Sequence, residues 1–288
     1  MRWPAFAPAL AAALAAAQCL TTPAAADDKT PRIVSLGGSV SEIVAALGAA
    51  DLLVARDTTT NYPESLLALP DVGYIRALSP EGVLSVAPDL ILAEAGAGPL
   101  ETIEVLRAAG VPFVPIPEDF TARGVLAKID AVAAAIDRPT QGAALAAEVG
   151  RGLDQAQAHA AEVTAPKRVL FVLSLQGGRV MAGGQGTAAE GILRLAGAQN
   201  AASGFDGYKL MTDEAVLTAA PDAILMMDRE GDLAIADADV LAHPALSATP
   251  AAASGQIIRM DGMLLLGFGP RTPQAAAALH AALYGTGG

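Results

Sequence analysis

One passage of this chain occurs twice, and the repetition limits what the chain can fold into. Leu78–Glu94 aligns with Met211–Met227 at a spacing of 133 residues. Glu81 falls on Glu214, Val83-Leu84 on Val216-Leu217, Ala87-Pro88-Asp89 on Ala220-Pro221-Asp222, and Ile91-Leu92 on Ile224-Leu225. A Gly-Tyr pair, Gly73-Tyr74 or Gly207-Tyr208, stands just upstream of each copy. Each copy predicts the same local structure. Ser79 or Thr212 opens a short helix over 81–87 or 214–220. Pro88 or Pro221 cannot continue it. The branched apolar run that follows reads as a buried strand. A unit that occurs twice, far apart, predicts two related lobes rather than a solenoid. Two such loops facing each other would form a cleft.

The chain in order extends this pattern. Strands are expected over 32–36, 52–56, 111–116, 167–174 and 256–260, with helices over 39–47, 101–109, 187–195 and 273–284. Ser39, with Glu42 three residues on, predicts a capping box. Strands alternating with helices predict parallel sheets covered on both faces. Between Thr121 and Val163 there is no strand signal. A helix over 121–136 breaks near Pro139, and a second runs over 140–163. Twenty-four helical residues span about 36 Å, enough to bridge two lobes, although packing on a single lobe fits the periodicity as well. Gly177-Gly178 to Gly186 reads as a glycine-rich hairpin or loop.

The first residues stand apart. Arg2 is the one early charge, 5–20 is apolar, and Ala24-Ala25-Ala26 offers a small-residue cleavage site. This is the pattern of a secretory signal peptide over residues 1–26, and the apolar run falls short of the roughly 20 residues a membrane span needs. Cys19, the chain's one cysteine, would leave with it, and Ala16-Ala17-Gln18 before it is a poor match to a lipidation signal. Residues 27–288 would then have neither disulfides nor thiolate ligands, despite an oxidising destination. Their charge would be one unit more negative than the −12 of the whole chain. Such acidity argues against nucleic acid or anionic membrane as a partner.

Tyr74 is the first candidate for chemistry. Arg76 follows two residues later, and in an extended segment both side chains point the same way. A phenol titrates near pH 10, a nearby cation favours the phenolate, and tyrosinate is an axial ligand of haem iron. The alternative is a half-buried tyrosine bonded to water. Tyr208 with Lys209 repeats the arrangement, with a packing role in the cleft wall as its plainer reading. Asp228-Arg229 follows the strand of the second copy, where parallel sheets place ligand sites. Arg229 could neutralise a carboxylate or hold Tyr74 ionised, or be a solvated loop charge. Gly177, Gly178, Gly183, Gly184 and Gly186 make neither a Walker nor a dinucleotide fingerprint. His159, His243 and His280 show no metal spacing and read as lone surface histidines. With no GxSxG elbow, hydrolase chemistry has little support.

GYIRALSPEG (73–82), APDLIL with its echo APDAIL, GAGPLETI (96–103) and MDGMLLLGFGPRTPQAA (260–276) resemble the periplasmic haem-binding proteins of bacterial haem ABC importers. These lie within the wider class that binds cobalamin and siderophores. The likeness covers nearly all of the chain beyond the leader. It implies an α/β fold of two Rossmann-like lobes, each with a central, mostly parallel sheet, joined by one long α-helix. The expected divisions are a lobe over 27–138, the linking helix over 139–165 and a second lobe over 166–288. It implies a monomer that captures ferric haem between its lobes with little hinge motion. Delivery would be to an inner-membrane permease and its ATPase. Tyr74 takes the position of the iron-ligating tyrosine. Arg76, Arg229 and Tyr208 are the other expected haem contacts, and Glu101 is a weak candidate for docking on the permease. Some relatives hold a second haem through a histidine, but 173–179 contains Gln176 and no histidine. The alternatives are a ferric siderophore or cobalamin as ligand and, further off, a secreted enzyme on the same scaffold.

Overall fold

The computed structural model describes residue 1, residues 30–228 and residues 234–285. The expected signal peptide, apart from Met1, and Arg229 therefore lie outside the described residues. Strands β1 (Ile33–Leu36), β2 (Leu53–Arg56), β3 (Leu90–Glu94) and β4 (Phe113–Ile116) form an all-parallel sheet in the order β2-β1-β3-β4. Helices α1 (Gly38–Ala46), α2 (Pro80–Leu84), α3 (Leu100–Ala108) and α4 (Ala122–Ala135) cover it. After α5 (Pro139–Glu162) come β5 (Arg168–Gln176), β6 (Arg179–Gly183), α6 (Ala188–Leu195), β7 (Gln199–Asn200), β8 (Tyr208–Leu210), α7 (Asp213–Ala219) and β9 (Ala223–Asp228). The chain continues through α8 (Asp237–Ala242), α9 (Pro250–Ser254), β10 (Ile257–Asp261), α10 (Gly262–Leu266) and α11 (Thr272–Tyr284). The second sheet runs β10-β9-β5-β6-β8, with β7 beside β5. It is parallel over β10, β9 and β5, and antiparallel where β6 meets β5 and β8. The reversal is local. Gly177 and Gly178 both take positive φ, which gives the two-residue turn that a hairpin needs.

Alternation along the central strands sends side chains into two different cores. Ile33 and Leu92 face a core with α1 and α4, while Val34, Leu36, Ile91 and Ala93 face the one that includes Val83, Ile103 and Leu106. In the second sheet Val169, Phe171 and Leu225 share the first core, and Leu170, Val172 and Met226 enter a third. The first core is continuous through both halves, joined by Val149, Leu153 and Ala156 of α5 and Ala275, Ala276 and Leu279 of α11. Helix α5 packs on α4 on one side and on α6 and α11 on the other. It therefore binds the two sheets together, and both lie within one compact unit, Pro31–Gly288.

The repeat has a structural cause. Arg32 and Arg168, each just before or at the start of a central strand, play the same part. Each backbone N–H donates to an aspartate, Asp89 Oδ2 at 3.0 Å or Asp222 Oδ2 at 2.8 Å, and each backbone carbonyl accepts from that aspartate's own N–H. Each guanidinium donates to carbonyls at or just past the end of a short helix, Val86 and Ala87 after α2 or Ala219 at the end of α7. Ala87 and Ala220 both take the left-handed conformation, with φ 45° and 40°. Each copy is thus a helix end locked to a strand start.

Three local expectations are corrected. The capping box at Ser39 does not form. Helix α1 starts at Gly38, so Ser39 lies inside it, buried and bonded to Glu94 Oε1 at 2.5 Å. Glu42 instead pairs with Arg271 at 2.8 Å. His243 is not on the surface: it is buried, with Nε2 donating to Gly178 O at 2.7 Å and Nδ1 accepting from Ala245 N–H and Leu246 N–H. His159 and His280 are not isolated either, since their rings lie 5.8 Å apart across α5 and α11.

Candidate functional site

The carboxyl ends of the first sheet and of the parallel strands of the second meet, and the residues that join them come largely from the closing motif at 260–276. Lys128 of α4 is fully buried. Its Nζ pairs with Glu94 at the end of β3 and donates to Ser39 Oγ at 3.0 Å and to Gly267 O at 3.2 Å. A buried ammonium is tolerable only when its partners replace water so fully. Arg271 pairs with Glu42 and lies 3.9 Å from the ring centre of Tyr62, a cation–π contact. Asn61, beyond β2, donates to Asp261 Oδ2 of β10 at 2.9 Å. A Cβ on Gly191 of α6 would come within 2.4 Å of Phe120 O, so the first turns of α6 rest against the loop that follows β4.

Tyr74 sits on a rigid piece of this edge. The backbone turns from Tyr74 to Ala77, closed by Ala77 N–H donating to Tyr74 O at 2.7 Å. The segment is not extended, so Tyr74 and Arg76 project from a β-turn, with the buried Ile75 between them as its anchor. Neighbouring loops fix the turn. Gly98 N–H donates to Ile75 O at 2.8 Å, Leu78 N–H to Gly98 O at 2.9 Å and Thr58 N–H to Gly73 O at 3.0 Å. Gly73 N–H donates to Asp71 Oδ1 at 2.8 Å. The buried Asp57 carboxylate accepts from Gly37 N–H and Thr59 N–H, both at 3.0 Å, and from Ile75 N–H. Burial pushes Asp57's carboxyl above the usual range, against the pull of these amides. Gly73 has φ +104°, a conformation that L side chains rarely adopt. Tyr74 itself is 44% exposed.

Across the seam, Tyr208 is 37% exposed and stands on the edge strand β8, not in a turn. The two Gly-Tyr pairs match in sequence but differ in local structure. Tyr208's hydroxyl meets the Ala189 N–H and the Thr187 side chain at the start of α6, and its ring lies edge-on to Phe171. Burial raises its pKa, so it stays a neutral phenol. Arg76 and Glu118 of the first half both lie within Coulombic reach of it. Glu101 is exposed in the first turn of α3.

Sequence reasoning missed Glu118, Glu94 and Lys128. Glu118 lies two residues beyond the end of β4 and Glu94 ends β3, so both stand at the ligand-binding edge of a parallel sheet. That position was the signal available. An open depression of about 630 Å³ lined by Lys167, Asp222, Pro250 and Gln256 lies before β5, β9 and β10. It sits at their amino ends, the wrong edge for such a site.

Residues 33–264 match the family described as periplasmic binding protein. The chain belongs to that family. Among solved structures, it is 43% identical to the periplasmic heme-binding protein BhuT in complex with two hemes, with a TM-score of 0.83 over 88% of this chain and 97% of that one. The periplasmic heme-binding protein RhuT from Roseiflexus sp. RS-1 is 37% identical, with a TM-score of 0.85 over 89% and 98%. HutB of Vibrio cholerae, a periplasmic heme-binding protein, is 35% identical, with a TM-score of 0.78 over 89% and 100%. A vitamin B12-binding protein of Yersinia pestis (strain Pestoides F) is 38% identical over 103 residues, 36% of each chain. That match spans little more than a third of the relative's length. These family relatives are binding proteins, and the two-lobe α/β architecture expected from the sequence is the one this family shares.

Proposed function

We propose that this chain captures haem between its two lobes outside the cytoplasm and hands it to an ABC permease and its ATPase. The observation that supports this most is Tyr74: a tyrosine exposed on a fixed turn at the carboxyl edge, two residues from an exposed arginine. In this reading the Tyr74 oxygen, as phenolate, is the axial ligand of ferric haem. Arg76 draws a haem carboxylate, Tyr208 forms part of the opposite wall, and Arg229 supplies a further cation. Tyr208 does not compete for the iron, because its hydroxyl is already partnered and its phenol is neutral. Glu101, exposed on the turn-bearing lobe, is a docking residue for the permease.

A second reading has an observation behind it. The 103-residue likeness to vitamin B12-binding proteins favours cobalamin as the ligand. Hemin titrated into the full chain, alone and in competition with cyanocobalamin or a ferric siderophore, separates the readings. The haem reading expects a saturating visible-absorption change with one hemin per chain that excess cobalamin does not reverse. Displacement of hemin by cobalamin, or no hemin uptake, contradicts it.

A further inference from the structure

Three helices, α5, α6 and α11, meet around two histidines that the haem reading does not use. His159 is exposed on α5 and His280 is half-buried on α11, with their ring centres 5.8 Å apart. His280 is held from two sides. Its Nδ1 lies 3.1 Å from Ala196 O, just past the end of α6, and the Tyr284 ring centre stands 5.0 Å from its own. The Tyr284 hydroxyl in turn donates to Gly197 O at 2.9 Å. A Cβ on Gly197 would come within 3.0 Å of Ala160 Cα, so this end of α6 also rests on α5, next to His159. A carbonyl oxygen only accepts, so Nδ1 of His280 carries the proton and Nε2 keeps its lone pair. A metal-binding histidine is commonly fixed in this way, its other ring N–H given to a backbone carbonyl.

We propose that His159 and His280 form a two-histidine site for a late first-row divalent cation, with Cu2+ held most tightly and water completing the shell. Two imidazoles on one ion, each nitrogen about 2.0–2.1 Å from the metal, hold their ring centres roughly 4.5–6 Å apart, depending on the angle at the metal. The observed 5.8 Å falls within that range. His159 is exposed, so turning its ring towards the ion displaces only water. The bound ion ties α5 to α11, helices that carry none of the proposed haem contacts. Among the described residues no group of three or more His, Cys, Asp or Glu side chains could hold a metal ion, so no richer site competes. The chain's third histidine, His243, has both ring nitrogens committed to backbone. Two charges share this patch. Glu162 is three residues beyond His159, on the same face of α5, and Lys167 Nζ lies 5.9 Å from the Tyr284 ring centre. The net charge of −12 favours an incoming cation.

The test uses the full chain, purified without a histidine tag, and Cu2+ as the probe. Calorimetric titration at about pH 7.5 should give one Cu2+ per chain. The electron paramagnetic resonance spectrum of that complex should carry couplings to two imidazole nitrogens. His159→Ala and His280→Ala should each weaken binding on the order of tenfold or more. Protons compete with the ion for both nitrogens, so wild-type affinity should also fall on the order of tenfold or more between about pH 7.5 and about pH 5.5. Saturating Cu2+ should raise the melting temperature of the wild type, and a chelator should reverse the rise. No stoichiometric binding overturns the proposal, and so does coupling to a single imidazole or a loss of affinity in only one of the two variants. His280 also bonds the end of α6, so His280→Ala could fail to fold. The exposed His159→Ala then decides, together with the nitrogen count in the wild type. Affinity and spectrum unchanged in His159→Ala overturn the proposal. None of these outcomes depends on whether the chain binds hemin, so failure here leaves the haem reading standing.

Discussion

Lys128 shows how much one side chain can commit a fold to. Its charge is buried, so its removal leaves the buried Glu94 side chain without its cation. Lys128→Met is expected to cost about 3–5 kcal/mol, with most of it recovered when Glu94→Gln is added. Urea unfolding of the single and double variants checks this, and a single variant as stable as wild type contradicts it. Glu118 makes the opposite case. Its carboxyl is raised from 4.5 to about 7 in the folded chain, so the folded state prefers the protonated form. The stability it contributes is fully present below about pH 4.5 and is lost as pH rises through about 7. Glu118→Gln should therefore melt higher than wild type at about pH 8, with the gain shrinking towards about pH 5. Calorimetric melts at both values test the sign, and a gain that grows as pH falls contradicts it. Neither residue stood out in the sequence. A lysine in an alanine-rich helix and a glutamate after a proline read as solvated charges, and only the topology of the parallel sheet brings them to one edge. Tyr74 and Arg76 were legible because the repeat and the GYIR motif mark them. Their turn was not, because it depends on Gly98 and Asp57 from two other loops.

At the scale of the element, α5 separates two uses of glycine. A Cβ on Gly142 would come within 2.4 Å of Ala133 Cβ on α4, where a short, backbone-fixed side chain cannot yield. A Cβ on Gly150 would make only ordinary contact, 3.8 Å from the end of Leu126. Gly150→Ala should therefore stabilise the protein by about 0.5–1 kcal/mol through helix propensity. Gly142→Ala should destabilise it by about 1–3 kcal/mol through overpacking. Thermal or urea unfolding of the pair tests this, and equal shifts would remove close packing of α4 on α5 as the cause. The length of this helix, the central strands and the repeat were readable because each rests on local signals: proline breaks, alternation and 3.6-residue spacing. The capping box at Ser39 was misread because tertiary contacts took both of its side chains, Ser39 to Glu94 and Glu42 to Arg271. His243 was misread because nothing local shows that the Gly177-Gly178 turn folds over it.

At the scale of the whole chain, the halves are tied by more than a linker. A shared core, the Lys128–Gly267 bond, the Arg271–Glu42 pair and the Asn61–Asp261 bond all cross between them. Hinge closure would have to break several of these together, so ligand binding should leave the radius of gyration without a resolvable change. Small-angle scattering with and without hemin measures this, and a clear compaction would contradict it. The family and the two-lobe architecture were legible in the sequence because the motifs that mark them are those that lock helix ends to strands and halves to each other. Ligand identity was less so, since haem- and cobalamin-binding relatives share that framework, and it turns on a few side chains at the seam.

The central claim is that a tyrosine on this fixed turn grips ferric iron. Electron paramagnetic resonance of the hemin complex, wild type against Tyr74→Phe, tests it most directly. The account expects a high-spin ferric tyrosinate signal in the wild type that is lost in the variant, together with much of the hemin affinity. An unchanged signal and affinity in Tyr74→Phe would contradict it.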